Sequence, residues 1–267
     1  MMRRVRLCLI AAGALSLAAC NADPTAPKAG VTDQMLTRDI AAAAATTATL
    51  DLAQMVDGEL AAGLPATASQ TALAPACPYS PAGRYVCPTV RTPDGLLLDR
   101  SYAIFAGGTP QPAYDPLRTD SVNFQTAVNG TLARDDRTLW LRHTRSMTVS
   151  GLAGIETTRV WDGIGARSDS MRVTRDGAPR TTRIEAMDRI EHVVFRLPRA
   201  TYPYPQSGTI TQDIVITSAA DGAPANEARS ATRHVVVTFN GTRKVGLLIG
   251  ATPCTLDLET RAVSCGR

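Results

Sequence analysis

Nothing in this chain is long and apolar enough to cross a bilayer as a helix. Its N-terminal run, Leu7 to Leu17, spans eleven residues, against about twenty for a spanning helix. A continuous apolar outward face on every strand, the mark of a transmembrane barrel, is also missing. So are the HExxH, GxSxG, P-loop and GxGxxG patterns, and no pair of carboxylates is spaced to argue for glycosidase chemistry. Ser150 and Ser207 each precede a glycine, but without the nucleophile-elbow pattern they read as turn residues. Lysine occurs only at Lys28 and Lys244, so nearly all positive charge is arginine. There is no internal repeat. These absences point away from catalysis, and no cofactor is expected.

The first residues carry an address. Arg3, Arg4 and Arg6 precede the Leu7–Leu17 run, as the charged and apolar regions of a signal peptide do. Leu17-Ala18-Ala19-Cys20 resembles the bacterial lipobox, which implies removal of residues 1–19 and acylation of Cys20. That removal takes three arginines and lowers the formal net charge from +4 to +1, which leaves no electrostatic case for nucleic acid or for an anionic membrane surface. Residues 20–30 read as the lipidated cysteine and a polar, Pro-containing tether. Asn21, rather than Asp, follows the cysteine and resembles the outer-membrane default. The expectation is a lipid-anchored envelope protein, facing the periplasm or the surface from the outer membrane.

With Cys8 in the signal peptide and Cys20 spent on lipid, Cys77, Cys87, Cys254 and Cys265 remain, and an exported chain is expected to pair them. In CPYSPAGRYVC the midpoint is Ala82, and Pro81-Ala82-Gly83 suits a three-residue hairpin loop with Gly83 at positive φ. Cys77 then faces Cys87. In CTLDLETRAVSC the midpoint lies between Glu259 and Thr260, so Cys254 faces Cys265. Neither spacing is that of a zinc knuckle.

Residues 31–76 read as a helical segment and loop. The helix runs from Thr32 to about Leu60, capped by Thr32 or Asp33, with Thr46 to Thr49 a point where it could split in two. Its apolar stripe is too thin to stand alone, so it should dock on a sheet. Residues 77–267 read as one antiparallel β domain: a meander, curved or rolled into a half-barrel. Six Asp-Gly or Asn-Gly pairs mark its turns (Gly95, Gly130, Gly163, Gly177, Gly222 and Gly241). Alternation puts Leu139, Leu141, Met147 and Val149 on one face, interrupted by His143 and Arg145. Ile210, Ile214 and Ile216 share a face, as do Ala231, Val235, Val237 and Phe239. The charged segments 165–175 and 182–196 read as a long arm with cross-strand ion pairs, its solvated outer half leaving the core.

Two further groups are candidates. His143, His192 and His234 all fall in strands, but their spacing does not demand a metal, and none is assigned. In LPRATYPYPQSG, Tyr202 and Tyr204 alternate with prolines and form a stiff pair of rings. They either contact a partner or close the end of the sheet.

The lipobox, the tether and helix, and the segments SGLAGIETTRVWDG, YPYPQSGTIT and VVVTFNGTRKVGLLIGATPCTLDLET resemble those of uncharacterised lipoproteins from Gemmatimonadota-type bacteria. The resemblance implies export and a β-rich domain and carries no activity. The expectation for function is therefore a non-catalytic binding or structural role in the envelope, with an unknown protein as partner. The alternative is a carrier holding a hydrophobic ligand inside a helix-covered half-barrel.

Overall fold

The computed structural model describes residues 31–64, 77–134, 137–174 and 179–266. The signal peptide, Cys20, the tether and the Asp176-Gly177 pair lie outside these residues. What is described is mainly β, as the alternation implies: one helix against one antiparallel sheet of thirteen strands.

Helix α1 spans Asp33–Ala61 without a break, and Thr32 caps it, its side chain accepting from the backbone N–H of Met35. The threonines do not split it. Thr46 and Thr49 return their hydroxyls to Ala42 and Ala45, satisfying them inside the helix. Ala43, Ala44, Ala45 and Ala48 are almost wholly buried; side chains this small let the sheet close on the helix backbone.

The strands are β1 (Tyr85–Val86), β2 (Val90–Arg91), β3 (Leu97–Ala106), β4 (Thr109–Gln111), β5 (Ser121–Arg134), β6 (Arg137–Ser150), β7 (Thr158–Val173), β8 (Arg180–Arg196), β9 (Ser207–Ala220), β10 (Arg229–Thr238), β11 (Lys244–Ile249), β12 (Thr252–Asp257) and β13 (Val263–Cys265). From β5 onward each pairs with the next in sequence; β3 pairs with β5 and carries β1, β2 and β4 on its free side. The order never returns to its start, so the sheet is open. Its inner face wraps α1, whose closest backbone approaches are to β9, β10 and β13. Apolar residues at alternate positions meet there, among them Met147, Val149, Trp161, Ile210, Ile214 and Val235. A smaller cluster of Leu96, Leu98, Val128, Leu139, Leu141, Met171 and Val173 fills a second part of the core.

Both disulfides join the expected partners. Cys77 and Cys87 stand 4.6 Å apart at Cα across the loop in which Gly83 has φ +76°. Cys254 and Cys265 are register partners 4.0 Å apart at Cα.

Two expectations need correction. Gly95, Gly222 and Gly241 sit in turns, but Asn129-Gly130 and Asp162-Gly163 lie inside β5 and β7. At Gly163 the reason is close approach: a Cβ would stand 2.7 Å from the carbonyl oxygen of Ser146. The charged segments form no arm that leaves the core. Alternate residues of β7 and β8 turn inward, so Arg167, Asp169, Arg180 and Asp188 are buried beside the helix. Only the outward set, such as Arg183, Glu185, Arg189 and Glu191, is exposed.

Candidate functional site

The helix turns a polar stripe toward the sheet, and the sheet answers it with arginine. Asp39, Thr47, Asp51, Gln54 and Glu59 are all buried on α1. Asp39 takes Arg180 of β8 at 2.8 Å. Arg167 of β7 donates to the carbonyl of Ala43, to Thr47 and to Gln212 of β9. Arg145 of β6 bonds Asp51 at 2.7 Å and pairs with Asp188 of β8 at 2.8 Å. Glu59 receives Arg159, Arg199 and the indole N–H of Trp161, and Arg159 also holds Glu156 at 2.7 Å.

Burial and pairing pull against each other here. Burial pushes the carboxyl groups of Asp39 and Asp188 above their usual range, against the attraction of Arg180 and Arg145 respectively. Burial also works against the charge on Arg145, but Asp51 and Asp188 outweigh it and hold that guanidinium firmly protonated. In Arg167 burial prevails and lowers the pKa. Asp39, Asp51, Asp188, Glu59 and Glu156 each face an arginine. The signal for this seam was present in the sequence: His143 and Arg145 interrupt an apolar register at inward positions, as Arg167 and Asp169 do on β7.

The three histidines do not converge. His143 is buried on the inner face, its Nε2 3.0 Å from Asp169. His234 lies on the outer face with its Nδ1 2.8 Å from Asp213. His192 is exposed, with φ +50°, at an irregularity in β8. Among the described residues no group of three His, Cys, Asp or Glu side chains is placed to hold a metal ion. The tyrosine pair is tied to the protein itself. Arg196 stacks over the Tyr202 ring at 4.3 Å, and the Tyr204 hydroxyl donates to Glu259. Ser150 ends β6 and Ser207 begins β9.

Sequence reasoning missed a furrow on the outer face. It encloses about 730 Å³ and crosses the strands from Val86 and Asp99 over Gln125, Ala127, Thr144, Ser146, Ile164 and Ala166 to Met187. Its floor is of small side chains, and Ile164 and Met187 stand 59% and 62% exposed at its walls. A hollow of about 380 Å³ continues from it, sharing Ser146 and Ile164 and lined further by Thr148, Asp162, Arg189, Glu191 and His192. Only the three-dimensional sheet brings these residues from β1 to β8 together. Near the end of α1 a separate cleft of about 420 Å³ lies among Asp57, Leu60, Val90, Pro93, Leu98 and Arg100. No family model, curated protein or solved structure matches the chain.

Proposed function

We propose that this is a membrane-anchored lipoprotein of the cell envelope, held through acylated Cys20, with a non-catalytic binding or structural role. The observation that carries the non-catalytic part is the seam: the buried carboxylates are taken up by arginines that bind the helix to the sheet. The polar contacts between α1 and the sheet also speak against an apolar ligand enclosed there. Burying an alkyl chain against Asp51, Arg145 and Arg167 would leave charged groups without partners. The anchoring part rests on the lipobox. Among the described residues no helix is long and apolar enough to cross a membrane, so a lipid would supply the attachment.

Metabolic labelling with a fatty acid, with and without globomycin, tests the anchor. The expected result is an acyl label on the mature N-terminus, and release from membranes when Cys20 is replaced by Ser. Unchanged membrane retention of Cys20→Ser, together with no label on the native chain, would overturn the reading.

A further inference from the structure

The outer face combines three features that the helix seam does not use. The first is the apolar furrow. It crosses β3, β5, β6, β7 and β8, neighbours in the sheet, which at 4.7–4.9 Å per strand makes it roughly 19 Å long. Ala127, Thr144, Ser146 and Ala166 keep its floor low, and the exposed side chains of Ile164 and Met187 line its edge. Adjoining large apolar side chains left open to water in a concavity are the ordinary mark of a ligand surface.

The second is the charge at one end. Arg189 and Glu191 project outward from β8, two residues apart, into the adjoining hollow. Neither has an ion-pair or hydrogen-bond partner among the described residues. The opposite end of the furrow is closed differently, by Thr89 bonded to Asp99.

The third is a local distortion that shapes the charged hollow. Both β7 and β8 are irregular there, between Trp161 and Gly163 and between Glu191 and Val194. Asp162 accepts the backbone N–H of His192 at 2.8 Å, and the His192 ring lies 3.3 Å from the same carboxylate. Irregularities of this kind re-aim side chains, and a non-glycine residue at positive φ is held only where its surroundings impose it. The imidazole is thereby held, 84% exposed, at the rim.

We propose that the furrow binds a single-chain amphiphile with a zwitterionic headgroup, its alkyl chain along Ala127, Ala166, Ile164 and Met187 and its headgroup in the hollow. Arg189 and His192 face the anionic part and Glu191 the cationic part. Charge complementarity selects this occupant: a purely anionic headgroup would meet Glu191 and Asp162, and a purely cationic one would meet Arg189. The proposal rests on the binding role put forward above and names its ligand class; it does not depend on the anchor.

The test uses the full chain carrying Cys20→Ser, so that no attached acyl group competes. Lysophosphatidylcholine, dodecyl phosphate, dodecyltrimethylammonium and dodecyl maltoside, each below its micelle concentration, are titrated by calorimetry. Lysophosphatidylcholine should bind tightest. Met187→Lys with Ile164→Lys should weaken it at least about tenfold, because charged heads replace the apolar wall. Arg189→Gln should narrow its advantage over dodecyltrimethylammonium by about tenfold, since the unpaired cation no longer repels that probe. Circular dichroism melts of each variant should match the parent, because these side chains are exposed. No binding of any probe, equal binding of all four, or binding untouched by the Met187/Ile164 substitution would overturn the proposal. So would a dimer in sedimentation that the same substitution dissolves, which would make the furrow a contact between copies. Failure of acylation at Cys20 would leave this result standing, and failure here would leave the anchor standing.

Discussion

Asp39 and Arg180 are 141 residues apart in the chain and meet as a two-pronged ion pair, with Arg180 Nη2 2.8 and 3.0 Å from the two carboxylate oxygens. Both side chains are under 5% exposed. The pair joins the first turns of α1 to the start of β8. Arg180→Met leaves the Asp39 carboxyl buried without its ion-pair partner, and should cost about 3–5 kcal/mol. Adding Asp39→Leu should recover most of that loss, since the buried carboxyl is then gone as well. Urea denaturation of both variants measures it. A double variant no better than the single would show that the pair itself stabilises the fold.

Asp188 gives a pH dependence with a definite sign. Burial raises its carboxyl above the ordinary aspartate value of 3.8, against Arg145 and Arg167. Between 3.8 and the raised value the folded state holds this proton more tightly than the unfolded chain. The group's contribution to stability therefore rises as pH falls from neutral, and levels off below 3.8. Asp188→Asn removes it, so the stability of the native chain minus that of the variant should grow on acidification. A difference that shrinks as pH falls would show that Arg145 outweighs burial.

Gly208 and Gly222 both have positive φ, +99° and +77°. A Cβ at Gly222 meets nothing within 4 Å, whereas at Gly208 it would lie 2.2 Å from the carbonyl oxygen of His192. Gly222→Ala should cost about 1–2 kcal/mol, from backbone strain alone. Gly208→Ala should cost at least about 1–3 kcal/mol more, because backbone must move. Thermal melts separate the two, and equal costs would show that the β8–β9 contact yields freely.

Tyr202 and Tyr204 are expected to be structural. Removing the Arg196 contact with Tyr202 should cost about 0.5–1 kcal/mol, and Tyr204 loses its bond to Glu259. Replacing both by Ala should lower the melting temperature and leave amphiphile binding unchanged. Lost binding at an unchanged melting temperature would restore them as a recognition surface.

The strand alternation, the helix from its Thr32 cap and both disulfide pairings were legible from the sequence alone. Each depends on residues close in the chain: a period of two, a capping hydroxyl, a hairpin midpoint. The Asp-Gly and Asn-Gly rule misled at Gly130 and Gly163 because a glycine can also serve close backbone approach, and no local pattern distinguishes the two uses. The partners of the charges were decided only by the tertiary structure. Arg167 and Asp188 looked solvated because a strand's two faces are told apart by what covers them, and the covering helix begins more than a hundred residues earlier. The furrow is of the same kind. Its floor and walls come from separate strands, and only the lateral order of the sheet sets Ala127, Ser146, Ile164 and Met187 side by side.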